Sequence, residues 1–144
     1  MDLELDGNAA LCTAASSGLG LASATALARE GADVAVCGST ETHVDEAREQ
    51  LQAAGDGDVL AVQADITNSS HVAAVVEEAV EEFGGLDHVV TSAGGPPSGP
   101  FRAQEDSDWY GAYDMLVMSA VWTLREARHH LVDLAALAGS DGRE

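Results

Sequence analysis

Short apolar runs alternate with longer amphipathic segments along most of this chain. The apolar runs have the length of buried strands, and they occupy residues 8–13, 33–37, 59–63 and 87–91. The amphipathic segments carry apolar residues at helical spacing, and they occupy residues 18–30, 42–54 and 69–83. This alternation predicts right-handed βαβ units and therefore an α/β fold with a parallel sheet.

The expected arrangement is a Rossmann-like doubly wound parallel sheet with strand order 3-2-1-4. Ligands of such sheets bind beyond the carboxyl ends of the strands, where strands 1 and 4 diverge. Four segments fall at those ends, namely residues 13–20, 38–40, 65–66 and 92–95. A small-molecule site is therefore expected at that edge of the sheet.

A long helix is predicted over residues 106–131, after a loop rich in glycine and proline at 94–100. One apolar stripe of this helix comprises Trp109, Ala112, Tyr113, Leu116, Ala120 and Leu124, and a second comprises Met115, Met118 and Trp122. One helix cannot bury two stripes on one sheet, so the second stripe is expected to meet another subunit. The alternative is a helix that is fully buried beneath additional chain.

No fifth strand can be recognised after the long helix, so the sheet is predicted to be incomplete. Residues 1–131 are expected to form a partial domain, and residues 132–144 a short tail that is either disordered or a helical extension. Strand 4 would then expose an unpaired edge, which native proteins usually cover. The long helix and this edge are the candidate surfaces for a homo-oligomer or a partner chain.

The charge balance is strongly acidic, with 25 acidic and 6 basic residues, all six of them arginine, and a net charge of −19. It argues against nucleic acid and anionic membrane surfaces as partners. Because molar salt would screen the self-repulsion, the composition favours a cytoplasmic protein of a halophile over an acidic protein of a mesophile. No apolar run is long enough to span a membrane, and the acidic N-terminus lacks the features of a signal peptide.

Cys12 and Cys37 each lie at the end of a predicted strand and are expected to be buried, reduced thiols. Neither the cysteines nor the histidines have the spacing of metal ligands, so no metal site is predicted. His129 and His130, near the end of the long helix, are interpreted as surface residues rather than catalytic bases.

The segment Thr13-Ala14-Ala15-Ser16-Ser17-Gly18-Leu19-Gly20 follows the first strand and opens the first helix. In such a loop, glycine lets the backbone approach a ligand closely, and the N–H groups of the first helical turn point at an anion. The expected anion is the pyrophosphate of a dinucleotide.

Three segments together resemble the short-chain dehydrogenase/reductase family, and specifically members similar to 3-oxoacyl-carrier-protein reductases. Residues 13–20 resemble the glycine-rich motif of that family, with Ala14 at the position of its first glycine. Ala64-Asp65-Ile66 resembles the adenine-pocket motif after strand 3. Thr91-Ser92-Ala93-Gly94 occupies the place of the Asn-Asn-Ala-Gly motif and keeps its last two residues.

The resemblance implies an NAD(P) site whose residues are Ala14, Ser16, Ser17, Gly18, Leu19, Gly20, Ser39, Asp65, Ile66, Ala93 and Gly94. Residues 16–20 would surround the phosphates, 65–66 would flank adenine, and 93–94 would line the ribose. A non-glycine residue at position 14 costs energy if φ is positive there. Gly38-Ser39-Thr40 offers no acidic residue for a ribose 2′-OH, which favours NADP over NAD.

Family catalysis uses a serine, a Tyr-x-x-x-Lys pair and often an asparagine on the long helix. A neighbouring ammonium group lowers the pKa of the tyrosine toward working pH, which proton transfer requires. The chain contains no lysine, its only tyrosines are Tyr110 and Tyr113, and Leu116 falls at the asparagine position. No catalytic residue is therefore assigned.

The main hypothesis is a fragment of a reductase-type oxidoreductase, shortened near Leu131 and inactive alone. The resemblance implies hydride transfer between a nicotinamide and a carbonyl or hydroxyl group. The alternatives are a non-catalytic nucleotide-binding or regulatory partner subunit, or a nonfunctional relic.

Overall fold

A computed structural model describes residues 2–131 as an α/β fold around one parallel sheet. Its strands are β1 (Ala9–Cys12), β2 (Asp33–Gly38), β3 (Val59–Gln63) and β4 (His88–Val90). All pairings are parallel and the order is β3-β2-β1-β4, so the predicted topology is confirmed. In the central register Leu11 pairs with Ala35 on one side and with Val89 on the other.

Helices cover both faces of the sheet. The α-helices of residues 2–131 are α1 (Gly18–Arg29), α2 (Glu41–Ala54), α3 (Ser69–Phe83), α4 (Asp106–Tyr113) and α5 (Ser119–Leu131), of which α4 buries none of its residues. One core cluster joins α1 and α2 to Cys12, Val34 and Val36, and the other joins α3 and α5 to Leu11, Ala35 and Cys37. Consecutive strand residues thus point to opposite faces, as the strand period of two requires. Because the sheet is buried on both faces, the strands are apolar at consecutive positions of the sequence.

The helix ends follow from local chemistry that the sequence predicts. The Asn68 side chain caps α3 by accepting hydrogen bonds from the backbone N–H groups of Ser70 at 2.9 Å and His71 at 3.4 Å. Gly84 ends the same helix with φ +77°, and Gly31 adopts φ +87° after α1. Both positions need the left-handed conformation that glycine adopts without strain.

The predicted helix over 106–131 exists, but it is not continuous α-helix. A five-residue π turn, Asp114–Met118, separates α4 from α5, and a short 3₁₀ turn at Phe101–Ala103 precedes them. The expectation for residues 132–144, a short tail, falls outside the described residues.

The assignment of the two apolar stripes of this helix was wrong. Met115 and Trp122, expected to face another subunit, pack against the core cluster on the α3 side. Trp109, Tyr113, Leu116 and Leu124 are instead between 48% and 55% exposed. The helix packs against α3 through three small buried residues, Ser119, Thr123 and Ala127. Because small side chains let the two helices approach closely, this face of α5 is the one that is buried. The pattern of apolar residues does not reveal this buried face, because two of its three residues, Ser119 and Thr123, are polar.

Cys12 and Cys37 are free and buried, as predicted, and belong to core clusters on opposite faces of the sheet. Within residues 2–131, no helix has both the length and the apolar character needed to cross a lipid bilayer.

Candidate functional site

A cavity of about 200 Å³ opens at the carboxyl edge of the sheet. Its walls come from the loops after all four strands and from two helices. The lining residues are Ala14, Ser16, Ser17, Gly38, Ser39, Thr40, His43, Ala64, Asp65, Ile66, Thr67, Gly94 and Met115. The segments therefore meet where the topology of a doubly wound sheet places a ligand site.

The loop after β1 is held tightly against the end of β2. The Ala15 N–H donates to the Cys37 carbonyl oxygen at 2.8 Å, and the Ser16 side chain lies directly over Gly38. A Cβ at position 38 would overlap Ser16 Oγ, and a Cβ at Gly20 would come within 2.9 Å of Ala15 Cα. Glycine at these two positions is what allows the loop to fold back over the strand end.

Ala14 adopts φ +47° in this loop, and Gly18 adopts φ +59°. A residue with a Cβ thus adopts the left-handed conformation at this position, where the sequence predicts an energetic cost. A left-handed conformation costs an ordinary residue about 1–2 kcal/mol. The loop thus carries backbone strain at the mouth of the cavity.

The N-cap residue of α1, Ser17, lines this cavity, and within residues 2–131 the N–H groups of residues 18–20 have no hydrogen-bond partner. Ser17 is the N-cap residue and its side chain makes no capping hydrogen bond, and the first turn of α1 holds no acidic residue. The first helical hydrogen bond runs from the Leu21 N–H to the Ser17 carbonyl oxygen at 3.2 Å. The preceding N–H groups and the positive end of the helix dipole suit an anion, so this loop fits a pyrophosphate.

At the end of β3, Asp65 is held by its neighbours. Thr67 donates to Asp65 Oδ1 through its hydroxyl at 2.7 Å and its backbone N–H at 2.9 Å. These bonds lower the pKa of the Asp65 carboxyl, so the group is a carboxylate at neutral pH. The Asp65 N–H donates to Nδ1 of His71 at 3.2 Å, which ties the turn to the start of α3.

At the end of β4, Ser92 is bound to the loop after β1. Thr13 Oγ1 donates to the Ser92 carbonyl oxygen and accepts from its N–H, each at 3.2 Å. Ala93 then packs against the core, and Gly94 reaches the cavity.

The structure brings seven of the eleven predicted site residues to the cavity wall: Ala14, Ser16, Ser17, Ser39, Asp65, Ile66 and Gly94. The other four do not line it. Gly18 and Leu19 form the exposed start of α1, Gly20 is buried against Ala15, and Ala93 packs inward.

Sequence reasoning assigned no role to four further lining residues that carry side chains of useful chemistry: Thr40, His43, Thr67 and Met115. Thr40 belongs to the strand-end segment 38–40 recognised in the sequence, although it was given no role there. Thr67 lies one residue beyond Ile66, so the strand-end rule could have included it. His43 and Met115 come from α2 and the π turn, and only the tertiary fold directs them here.

A larger cavity, of about 540 Å³, lies at the opposite edge of the sheet, beside the C-terminal ends of α1 and α2. Its lining includes Asp6, Arg29, Asp33 and Asp56. Parallel sheets bind ligands at their carboxyl ends, and none of the strand-end segments reaches this edge. The smaller cavity is therefore the candidate functional site.

The two tyrosines are on α4, where Tyr110 and Tyr113 are exposed, and neither lines the cavity. His129 and His130 are exposed in the last turn of α5. No group of three or more His, Cys, Asp or Glu side chains within the described part of the chain could hold a metal ion.

A parallel β3-β2-β1-β4 sheet with a glycine-containing loop and a helix N-terminus at its switch point defines an α/β protein of the Rossmann type. Residues 8–143 match the short chain dehydrogenase family. The chain belongs to that family.

Among relatives, the uncharacterized oxidoreductase YvrD of Bacillus subtilis (strain 168) is 36% identical over 143 residues, which is 99% of this chain and 51% of that protein. L-sorbose reductase from Gluconobacter frateurii, complexed with NADPH and L-sorbose, superposes with a TM-score of 0.85 at 33% identity. That match covers 91% of this chain and 50% of the reductase.

The NADH-dependent reductase A1-R′, complexed with NAD, superposes with a TM-score of 0.83 at 29% identity, and the match covers 96% of this chain and 58% of that one. This chain thus spans about half the length of the relatives it matches. It is an oxidoreductase-family chain with an incomplete Rossmann-like fold.

Proposed function

We propose that this chain supplies the dinucleotide-binding part of an NAD(P)-dependent oxidoreductase that acts on a carbonyl or hydroxyl group. The observation that carries the proposal is the single cavity formed by four strand ends in front of an uncapped helix N-terminus. The complexes of similar proteins with NADPH and NAD support it. A bound nicotinamide would supply the hydride acceptor or donor.

The residues divide by the part of the dinucleotide that they suit. Ser16, Ser17 and the backbone of 18–20 offer hydroxyl and N–H donors to the pyrophosphate. Asp65 and Ile66 present a carboxylate and an apolar side chain to adenine at the end of β3, while Gly94 borders the ribose and Ala93 packs behind it against the core. Gly38 has no Cβ and therefore leaves room for the Ser16 side chain.

We further propose that NADP is preferred over NAD. At the β2 end, the cavity is lined by Ser39, Thr40 and His43, whose side chains include no carboxylate. Hydroxyl groups and an imidazole can donate hydrogen bonds to a 2′-phosphate, whereas a carboxylate would repel it.

This chain by itself is proposed not to turn over substrate. The full sequence contains no lysine, so a tyrosine–lysine pair cannot form within it. The two tyrosines are exposed on α4 and outside the cavity. Proton transfer would therefore need residues from another chain or from additional sequence.

A partner surface is proposed along α4 and α5 and at the edge of β4 that no other strand of residues 2–131 pairs with. Trp109, Tyr113, Leu116 and Leu124 form an apolar face there, which we name the exposed helix face. An apolar face of this length is typical of an interaction site. β4 pairs with β1 on one side. A second copy of the chain or a partner chain would cover both features.

The proposal also includes a cytoplasmic protein adapted to high salt. The net charge of −19 and the use of arginine as the only basic residue, apart from histidine, support it.

Calorimetric titration of the purified chain with NADP and with NAD, in molar KCl, tests the proposed function. We expect saturable binding of both and tighter binding of NADP. Gly38→Ala should weaken binding because its Cβ would displace Ser16, whereas Gly85→Ala is the matched control, because nothing lies within 4 Å of its Cβ position. Absence of binding, or equal loss in the two variants, would contradict the proposal.

A further inference from the structure

The strand β3 lies at an edge of the sheet, and its sequence suits pairing with another strand. Among the strands of residues 2–131 it pairs with β2 alone. Its residues, Val59-Leu60-Ala61-Val62-Gln63, include no charge and no proline. Apolar segments rich in β-branched residues pair readily with a second chain when an edge is left open, and native proteins therefore protect such edges.

Alternate residues of β3 direct their backbone groups away from β2. The Ala64 N–H donates to the Gly38 carbonyl oxygen at 2.8 Å, just beyond the end of the strand. Because a parallel pair engages every second residue of the edge strand, the residues that face β2 are 58, 60, 62 and 64. The N–H and carbonyl groups of Val59, Ala61 and Gln63 therefore point outward, and Ala61 is the middle residue of the three.

Arg48 of α2 occupies the middle of this edge. Its Nη2 donates to the Ala61 carbonyl oxygen at 2.8 Å, and its Nη1 donates to Oδ1 of Asp45, one turn earlier on α2. Arg48 is half-buried and directly follows Ala47, which is buried between α2 and the sheet. From this position its side chain reaches the outward-facing carbonyl of the edge strand. A guanidinium group thus stands where that carbonyl would otherwise accept a hydrogen bond from another strand.

We propose that Arg48 blocks the β3 edge against pairing with the same edge of a second copy of the chain. A second copy is the relevant partner because a two-fold axis brings two identical edges together as antiparallel strands. To pair there, the copy would have to displace the guanidinium from Ala61 and leave a charged group without its hydrogen bond. The block leaves the exposed helix face and β4, at the opposite end of the sheet, as the surfaces for association.

Salt determines how much depends on this block. The net charge of −19 makes two copies of the chain repel each other. At about 0.1 M salt this repulsion acts over about 10 Å, whereas near 1 M its range falls to about 3 Å. The bond from Arg48 goes to a partly buried carbonyl, and salt screens such contacts much less. The block should therefore matter most in molar salt.

Substitutions at position 48 test the block, all in a Leu116→Glu background that disables the exposed helix face. Arg48→Met keeps most of the apolar stem but removes the donors, and Arg48→Ala removes the stem as well. Arg48→Lys keeps a cationic donor of the kind that protects natural strand edges. Arg125→Met, at an exposed position of α5, is the matched control, because it makes the same change in side chain and net charge. Circular dichroism shows which variants are folded.

Sedimentation in molar KCl measures association. Arg48→Met and Arg48→Ala should form a dimer whose population rises with concentration. Arg48→Lys, Arg125→Met and the Leu116→Glu background should stay monomeric.

Amide hydrogen exchange locates the interface. Because Ala61 and Gln63 direct their N–H groups outward, both should exchange roughly three- to tenfold more slowly in concentrated than in dilute Arg48→Met, as the strength of one backbone hydrogen bond indicates. In the monomeric proteins the two exchange rates should not depend on concentration.

The outcomes decide the proposal as follows. Dimers of Arg48→Met or Arg48→Ala with slower exchange at Ala61 and Gln63 support the block. Folded, monomeric variants overturn it, and so does a dimer in which exchange at these two amides is unchanged. Equal dimerisation of Arg48→Lys, or protection of the two amides while Arg48 is still present, overturns it as well.

Discussion

Thr13 and Ser92 lie 79 positions apart in the sequence and are joined by two hydrogen bonds. The threonine hydroxyl donates to the Ser92 carbonyl oxygen and accepts from its N–H, each at 3.2 Å. Thr13 is buried, with 4% exposure. One side chain thus closes the gap between the diverging ends of β1 and β4 and fixes the distance between two walls of the cavity.

Thr13→Val should weaken this link while keeping the shape of the side chain. Because a partly buried N–H and carbonyl would lose their partner, the free energy of unfolding should fall by about 1–3 kcal/mol. Dinucleotide affinity should fall too, since the two loops would separate. Chemical denaturation and calorimetric titration measure the two effects. The neighbouring exposed Thr91→Val is the control, and a comparable loss there would refute the role of Thr13.

Ala14→Gly should stabilise the fold. The residue has φ +47°, and glycine relieves a cost of about 1–2 kcal/mol while adding about 0.5–1 kcal/mol of unfolded-state entropy. We expect a net gain of about 0.5–1 kcal/mol in the free energy of unfolding. Ala15→Gly, at a buried neighbour without positive φ, should destabilise the fold instead. Destabilisation by both variants would argue against strain at Ala14.

Stability should decline in alkaline solution because of the two buried thiols. Burial, with a smaller contribution from the Cys37 thiol, raises the pKa of Cys12 from 9.0 to about 12. Burial also raises the pKa of Cys37, against the opposing effect of a hydrogen bond from the Ala14 backbone.

The sign of the pH effect follows from which state loses its proton first. Below pH 9 both states keep the Cys12 thiol protonated, and between pH 9 and about 12 only the unfolded state ionises. The free energy of unfolding should then fall by about 1.4 kcal/mol per pH unit from Cys12 alone. Denaturation at several pH values measures this slope. Cys12→Ala should make it shallower, and an unchanged slope would show that the thiol is not responsible.

Salt should stabilise the chain strongly. At about 0.1 M salt charges interact over about 10 Å, whereas near 1 M the range falls to about 3 Å. With a net charge of −19, the unfolding temperature should rise as KCl increases through this range. Replacing the four exposed glutamates of α3, Glu77, Glu78, Glu81 and Glu82, by glutamine should reduce the rise. Equal stability at low and molar KCl would remove the case for salt adaptation.

The exposed helix face should control the oligomeric state. Leu116 is half exposed in its centre, so Leu116→Glu should abolish self-association without unfolding the chain. Ala22→Glu, at an exposed position of α1, is the control. Sedimentation should show an oligomer for wild type and Ala22→Glu and a monomer for Leu116→Glu. A wild-type chain that sediments as a stable monomer would contradict self-association through this face.

Much of the fold was predictable because each element has a local signature. Continuous apolar runs such as 33–37 indicate strands buried on both faces, and Asn68 and Gly84 mark the two ends of α3 through capping and positive φ. The order β3-β2-β1-β4 followed from right-handed crossovers. The cavity walls at Ser16, Ser39, Asp65 and Gly94 followed from the rule that ligands bind at strand ends.

The prediction of which side of the last helix is buried was wrong. It followed the large apolar side chains and did not consider how closely small side chains let the helix pack against α3. Trp109 and Leu116 are large and apolar, yet they are exposed, while Ser119 and Thr123 are buried. The two hydroxyls are buried without loss because each bonds to a carbonyl of its own helix. Helical spacing alone cannot show which face fits against α3.

The sequence by itself determined the elements, their order and the family, because these depend on local propensity, periodicity and short motifs. Only the tertiary structure decided that Ser16 lies over Gly38, that Thr13 bonds Ser92, and that Met115 enters the cavity. The first two relationships join residues that are distant in the sequence, and the third depends on a π-helical hydrogen bond. They arise from how strands and helices pack against one another, and a linear pattern does not contain that geometry.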